Sequence, residues 1–421
     1  TEIRLSGTTD RFDWSLGATQ VELSSKTHGG YYDGKSLPFF SFWFPDIRRP
    51  TTAYGMIEAD TTGIYGSIDY RLTDNLTVIA EIRKQEDEVN DPKVNAAAGK
   101  TISPGTFKST LPRVVVKYQI SDNSMVYFNY SKGTLPGGFN PEVADKLTTA
   151  EQIAVFNADT PGIGETFSEE TLKNYELGWK KMSDDGRLAM NLAVFRMERS
   201  DQVYSGFGTI PADVTCGGDN DGDGVPNVEI CTVAFSGNGT SSDIDGFEAE
   251  LSFQANDNLN LQAALGYTKA EISEFPDGGD CGDYNDVFGA GLSCQGQQAA
   301  RYPEWVGSLI ATYNFETGFG DSYVRGELFY ADSYFDEVTI LTELPSSTEI
   351  NLRAGIKIGN ATLEAYVSNL TDEDAPTGGN NIADTSGYVR NNAGNYNFSV
   401  ESVHIHLRDK REFGFRVGYD F

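Results

Sequence analysis

The sequence predicts an all-β chain, a transmembrane antiparallel up-and-down β-barrel, and three observations predict it. Apolar residues recur at every second position through about fifteen segments; the connections between them alternate between short and long; and no run of apolar residues is long enough for a helical span. The carboxy-terminal stretch REFGFRVGYDF states the pattern most plainly. Phe413, Phe415, Val417, Tyr419 and Phe421 fall on one face, with Gly414, Arg416, Gly418 and Asp420 on the other.

Composition narrows the class. Only 39% of the 421 residues are hydrophobic, yet the chain carries 45 Gly, 21 Tyr and 25 Phe, a loading that suits strands and turns better than a helical core. The net charge of -30, from 62 acidic against 32 basic residues, argues against a nucleic-acid partner, because nothing here could neutralise a phosphate backbone.

The strands follow from alternation taken segment by segment. INLRAGIKI sets Ile350, Leu352, Ala354, Ile356 and Ile358 against Asn351, Arg353, Gly355 and Lys357. LNLQAALGY does the same with Leu259, Leu261, Ala263, Leu265 and Tyr267, and GFEAELSF with Phe247, Ala249, Leu251 and Phe253. RFDWSLGA, LTVIAEIR, VVVKYQI, NYELGWK, SYVRGELFY and LEAYVSN repeat it, most in segments near ten residues. The opposite face carries Glu81, Arg83, Lys117, Glu176, Lys180, Arg325 and Glu327, too much charge for a protein core.

Alternation alone also fits a soluble sandwich, so the connections decide. Short ones are TTD (8–10), TDN (73–75), SDN (121–123), SDDG (183–186), ANDN (255–258) and GN (359–360). Long excursions rich in Gly, Asp and Asn cover 25–57, 88–108, 134–168, 204–241, 275–300, 334–346 and 371–409. Loops of this length are uncommon in compact soluble domains. Hairpins tight at one end and expanded at the other describe an outer-membrane barrel with short periplasmic turns and long extracellular loops. The first strand, EIRLSG (2–7), precedes a short turn and the last follows a long loop, so both descend and the count is odd. Bacterial barrels have an even count, so we expect an odd number of further strands ahead of Thr1.

Three stretches carry a family resemblance. SKGTLPGGFN (131–140), following the strand SMVYFNY, resembles the rim motif of TonB-dependent outer-membrane receptors. LEAYVSNLTDED (363–374), ahead of a last strand closing on Phe421, resembles that family's end, and ETFSEETLKNYELGWKKMSDDGRLAMNLAVFRMERSDQ (165–202) its mid-barrel hairpin. Thr371 departs from the pattern, since many members carry Phe there. The resemblance implies a 22-stranded barrel whose lumen holds a plug. Residues 1–421 would then be the partial barrel domain, its last fifteen strands, without the plug, the coupling segment or the first strands. It further implies a TonB-type energy-coupling protein as partner through the missing amino-terminal part, the barrel assembly machinery reading Tyr419 and Phe421, and outer-membrane lipid around the strands of a Gram-negative cell.

CGGDNDGDGVPNVEIC (216–231) is the most chemical stretch. Asp219, Asp221, Asp223 and Gly224 reproduce the start of a calcium loop, in which alternate carboxylates converge on a hard cation. Asn227 would be the ninth-position ligand, while position twelve is Ile230 and Glu229 falls one residue short. The loop resembles thrombospondin type 3-like calcium repeats. A structural Ca2+ and a solvated acidic loop are the two readings; no other cofactor is required. The four cysteines suggest local disulfides, Cys216–Cys231 and Cys281–Cys294, each closing about 15 residues for on the order of 3 kcal/mol, against the alternative of reduced thiols. LPFFSFWFPD (37–46) places Phe39, Phe40, Phe42, Trp43 and Phe44 in a predicted external loop, either lining a ligand pocket or packing the loop on its neighbours. His404 and His406 share a face but lack a third metal ligand and read as loop residues, and with His28 they lie in no Ser/His/Asp context, so no enzyme is indicated. TTAEQIAVF (148–156) predicts a short helix with Thr148 and Glu151 as its capping box.

Function follows from the resemblance: an energy-coupled importer of a scarce nutrient, a small molecule or metal chelate, with a ferric siderophore-type complex first and oligosaccharide or cobalamin behind. The acidic charge weighs against a strongly anionic chelate. The alternatives are a passive porin and a secreted adhesin.

Overall fold

The computed structural model describes residues 1–29, 53–90, 105–212, 230–275, 291–336, 342–383 and 401–420. In chain order the strands are β1 (Glu2–Thr8), β2 (Phe12–Gly29), β3 (Ala53–Arg71), β4 (Leu76–Asn90), β5 (Gly105–Ser121), β6 (Ser124–Leu135), β7 (Gly138–Phe139), β8 (Thr166–Phe167), β9 (Glu170–Met182) and β10 (Leu188–Pro211). They continue as β11 (Ile230–Gln254), β12 (Leu259–Glu274), β13 (Trp305–Thr317), β14 (Gly320–Ala331), β15 (Tyr334–Phe335), β16 (Glu343–Leu344), β17 (Ser347–Ile358), β18 (Ala361–Ser368), β19 (Gly378–Ala383), β20 (Glu401–His406) and β21 (Glu412–Tyr419). Fifteen of these form a single antiparallel sheet in chain order, the number the sequence predicts. The small pairs β7–β8, β15–β16 and β19–β20 sit inside long connections, as do the helices α1 (Pro141–Lys146) and α2 (Ala150–Asp159).

The alternation resolves into two faces. One is apolar and open: Ile3, Leu5, Leu16, Ile64, Ile82, Phe128, Leu177, Val194, Leu265, Leu309, Val324, Leu352 and Leu363 are all exposed. On β21 the same face carries Phe413, Phe415, Val417 and Tyr419. In water so large an apolar surface would be untenable; against lipid tails it is the ordinary outer wall of a membrane barrel. Aromatic groups gather near its upper border, where Tyr130 and Tyr175 pack with ring centroids 5.1 Å apart and Phe247, Tyr267 and Trp305 form a second group with centroids 4.8–5.9 Å apart.

The other face is polar and internally paired. Glu81 accepts from Arg113 at 3.1 Å, and Arg83 donates to Gln85 at 2.8 Å and Thr19 at 3.0 Å. Arg325 donates to Glu327 at 2.6 Å, and Arg416 reaches Glu364 at 3.1 Å. Lys180 lies over the Tyr127 ring at 5.8 Å. The charges expected to point inward do so, bonded both along single strands and across neighbouring ones.

A steric device recurs on this polar face. Tyr65 stands opposite Gly17, Tyr127 opposite Gly178, Tyr323 opposite Gly355 and Tyr366 opposite Gly414. In each case the ring lies over the glycine so closely that an added Cβ would fall 2.2–2.4 Å from it. From these seats the Tyr65 hydroxyl donates to Glu2 and that of Tyr323 to Glu364, each on the strand beyond the glycine.

Two features depart from expectation. A seventh short turn, Gly318–Phe319, joins β13 to β14. Gly320 closes it with φ +153°, and a Cβ there would sit 2.0 Å from the Lys357 carbonyl oxygen. The second departure corrects the predicted loop 204–241. Strands β10 and β11 have 24 and 25 residues and stay paired from Leu188↔Phe253 to Pro211↔Ile230, through register shifts between Arg199 and Tyr204. At about 3.3 Å per residue this hairpin is about 80 Å long, while a tilted strand crosses a bilayer in about ten residues, so much of it stands outside the lipid.

A substitution test separates the faces. Leu309→Arg, on the apolar face two steps below the aromatic border, should destabilise the full-length chain folded in phospholipid vesicles by about 2–4 kcal/mol, whereas Gln262→Arg on the polar face should stay within about 0.5 kcal/mol. Urea titration measures both, and equal losses would contradict the assignment of faces.

Candidate functional site: the loop-bearing rim

The rim at the long-loop end is where ligands could first meet this chain, and it is held by side chains replacing strand partners. Beyond Ser241 the β11 edge no longer pairs with β12. Asn140, buried at the end of SKGTLPGGFN, takes over: its Oδ1 accepts the Ser236 N–H at 2.7 Å, and its Nδ2 donates to the Ser236 and Gly164 carbonyls at 2.8 Å each. Two residues on, Glu142 accepts the Ala234 N–H at 2.7 Å and pairs with Lys146 at 3.0 Å. Gly137 permits the approach, since a Cβ there would fall 2.2 Å from the Phe167 carbonyl oxygen.

Helix α2 then closes over the hairpin. Its N-cap is Thr149, with Gln152 as the reciprocal partner, which corrects the predicted Thr148/Glu151 box by one residue. The sequence TTAEQ admits both registers. Position 152 is buried, and its amide accepts from the Thr148 and Thr149 N–H groups at 3.1 Å while donating to the Pro211 carbonyl at 3.2 Å. An ionised glutamate could not donate that last bond. Val143, Phe156 and Ile163 from this connection pack with Ile210, Val233 and Phe235 of the hairpin into a buried core. Phe156 and Phe235 meet edge to face at 6.0 Å.

A second knot forms in NLTDED. Asn369 is buried with φ +50°; its N–H donates to Asn351 Oδ1 at 2.7 Å, its Oδ1 accepts the Glu373 N–H at 2.7 Å, and its Nδ2 donates to the Glu373 and Asp409 carbonyls at 2.8 and 3.0 Å. The Arg411 N–H holds the Asp372 carboxyl below the usual carboxylate range. The Thr348 N–H, with those of Ala375 and Asp374, lowers Glu373 likewise against the opposing effect of burial. Thr371 is exposed, so its departure from the family's Phe removes no packing seen among the described residues.

A third junction lies between 291 and 336. Ile244, Ala270, Ile272, Cys294 and Ala299 form a buried cluster against the inner wall, on the face opposite Val194. Arg301 donates to the Asp336 carbonyl at 3.1 Å, and the Asp336 carboxylate accepts the Gly379 N–H at 3.2 Å, tying three connections together.

The sequence-derived sites divide. Asp219, Asp221, Asp223, Asn227, Glu229, Cys216, Cys281, Phe39, Phe40, Phe42, Trp43, Phe44 and Phe421 lie outside the described residues. Cys231 and Cys294 are both buried and disulfide-bonded, with no free thiol among the described residues. Among the described residues no group of three or more His, Cys, Asp or Glu gathers as a metal site. His404 and His406 lie on β20, paired with Asn380 and Gly378 of β19, within the long connection 371–409 expected for them. Tyr419 is exposed on the apolar face. The residues that organise the rim, Asn140, Glu142, Asn369 and Asp336, were not singled out by sequence reasoning; Asn140 and Asn369 lay inside quoted motifs whose structural work was not evident.

Comparison with known proteins agrees with this geometry. The sequence profile described as "TonB dependent receptor-like, beta-barrel" matches residues 2–370. A curated relative, the metal-pseudopaline receptor CntO of Pseudomonas aeruginosa (strain UCBPP-PA14), is 22% identical over 397 residues, covering 86% of this chain and 48% of that protein. Among solved structures, the ferric yersiniabactin uptake receptor FyuA from Yersinia pestis superposes with a TM-score of 0.64 at 16% identity, over 100% of this chain and 53% of that one. BauA, the ferric preacinetobactin receptor from Acinetobacter baumannii, gives 0.63 at 17% identity, over 99% and 53%. The chain thus spans about half the length of the relatives it matches.

The rim generates two expectations. Asn140→Asp removes two donated bonds and faces a carboxylate toward two carbonyls, at a cost of about 2 kcal/mol or more; amide exchange at Ser236 should accelerate. Lowered carboxyls at Asp372 and Glu373 contribute stability that is complete above the ordinary carboxylate range and lost as pH falls through their native values, below about pH 4. Exchange of the 369–375 amides should rise there, and Glu373→Gln should flatten the dependence.

Proposed function

Because this chain belongs to the TonB-dependent receptor β-barrel family, we propose that it serves in energy-coupled uptake of a metal chelate across the outer membrane of a Gram-negative cell. The observation that carries the reading is the likeness to a metal-pseudopaline receptor over 86% of the chain. Two structural neighbours, the receptors for ferric yersiniabactin and ferric preacinetobactin, support the same ligand class. The excess of 62 acidic over 32 basic residues favours a chelate of low negative charge over a polyanionic one, since a negative funnel repels like-charged cargo.

In this reading the outer rim presents the loops, the polar face lines the passage, and binding is non-covalent. Movement of the cargo would draw on a TonB-type coupling protein engaged by parts of the receptor beyond the residues described, and insertion would depend on the barrel assembly machinery. Cys231 would pair with Cys216 and Cys294 with Cys281, and the first of these would close the Asp219–Glu229 loop around a structural Ca2+.

The test is uptake. Cells lacking their own metallophore receptors and expressing the full-length protein should accumulate radiolabelled iron or nickel supplied as a metallophore complex. Deleting the coupling protein should abolish the accumulation. Uptake that persists without coupling and saturates only weakly would favour a passive channel and sink the proposal.

A further inference from the structure

On the lipid-facing wall, among the described residues, one register pair joins two cations. Lys132 of β6 and Lys173 of β9 stand directly opposite each other in register. Both share the outward face with Phe128 and Leu177, two ladder steps further down the same strands. Like charges directly opposite on one face repel each other. Lys173 has only the half-exposed Glu198 at 3.6 Å, and Lys132 has no ion-pair partner among the described residues. On the side of β6 away from β9, the next outward residue of β5 is the uncharged Pro112.

The surroundings of the pair are those of an anion site. One step toward the membrane, Tyr130 and Tyr175 stand opposite each other with centroids 5.1 Å apart, and neither hydroxyl has a hydrogen-bond partner among the described residues. One step the other way, Thr134 stands opposite Thr171. Two ammonium groups flanked by phenol and alcohol hydroxyls supply donors of the kind a tetrahedral oxyanion accepts.

Depth identifies the anion. The aromatic pair belongs to the border of the apolar band, where aromatic girdles mark the membrane interface. Residues one step beyond it lie at headgroup level. Strand β6 leaves the short turn at 122–123 and runs toward a long connection, so the lysines sit on the extracellular side. The outer leaflet there is built of phosphorylated glycolipid. We propose that Lys132 and Lys173, with Tyr130, Tyr175, Thr134 and Thr171, bind a phosphomonoester group of an outer-leaflet glycolipid. The bound phosphate relieves the lysine repulsion and fixes the height of this wall in the bilayer. Farther along the same row, Glu198, Asp243 and Glu271 carry the opposite charge, so the anion is confined to the β6–β9 seam.

The experiment uses the full-length receptor, delipidated in non-ionic detergent, with three probes: bisphosphorylated lipid A, the same lipid stripped of its phosphates, and inorganic phosphate. The bisphosphorylated lipid should bind. Lys132→Met combined with Lys173→Met should weaken it at least tenfold, and the stripped lipid should bind the unaltered protein as poorly. Lys132→Arg with Lys173→Arg should retain binding, which separates loss of charge from loss of fold. Lys269→Met removes an outward lysine already paired with Glu271 at 2.8 Å and should leave binding unchanged. Equal weakening by Lys269→Met would reduce the effect to bulk charge and overturn the site. Displacement of the lipid by inorganic phosphate at the lipid's own concentration would assign the site to free phosphate and overturn the glycolipid assignment. Undiminished lipid binding by the paired Met variant, with heat-modifiable gel mobility showing an assembled barrel, would also refute it.

Discussion

The whole arrangement depends on one constraint: inside a bilayer, every backbone N–H and C=O must find its partner within the protein. A strand satisfies half of its groups on each side, so it can cross only between two neighbours. Fifteen consecutive antiparallel strands are that constraint written out, each paired to the next through seven short connections and seven long ones. The apolar face follows, because once the backbone is paired the side chains toward lipid need only be non-polar. The paired charges of the inner face follow as well, because a wet lumen tolerates them.

Above the lipid the constraint relaxes but does not disappear. Water could satisfy a free strand edge there, yet the chain supplies its own groups. Asn140 and Glu142 bond the β11 edge as a neighbouring strand would, and Asn369 collects four bonds where β18 leaves the wall. Buried amides with all their bonds made define one geometry, since any displacement leaves a polar atom unpaired. The described parts of the long connections therefore stand on fixed points.

How much of this was legible in the sequence depended on the solvent each segment meets. Between water and lipid, alternation is forced, and the strands could be read from period two alone. The β10–β11 extension meets water on one face and a small packed core on the other, so SGFGTIPA and SGNGTSSD carry the glycines and hydroxyls of a loop although they are paired. The Gly318–Phe319 turn was hidden because an exposed Phe319 sits between glycines and looks like strand. The helix cap was misread by one residue because TTAEQ fits two registers, and only burial of Gln152 chooses. Asn140 and Asn369 were unreadable as clips, because their partners are 96 and 18 residues away.

The tyrosines seated on glycines bear on how such a wall is put together. Sliding one strand past its neighbour by a single residue would turn its apolar side chains into the lumen, an error that polarity alone forbids. Sliding it by two would keep every face correct, and the hydrophobic pattern could not detect the mistake. The ring seats can: a two-residue slip would press Tyr65, Tyr127, Tyr323 or Tyr366 against a residue with a Cβ and leave Gly17, Gly178, Gly355 or Gly414 uncovered. These pairs thus add a steric cost to a slip that facing alone would allow.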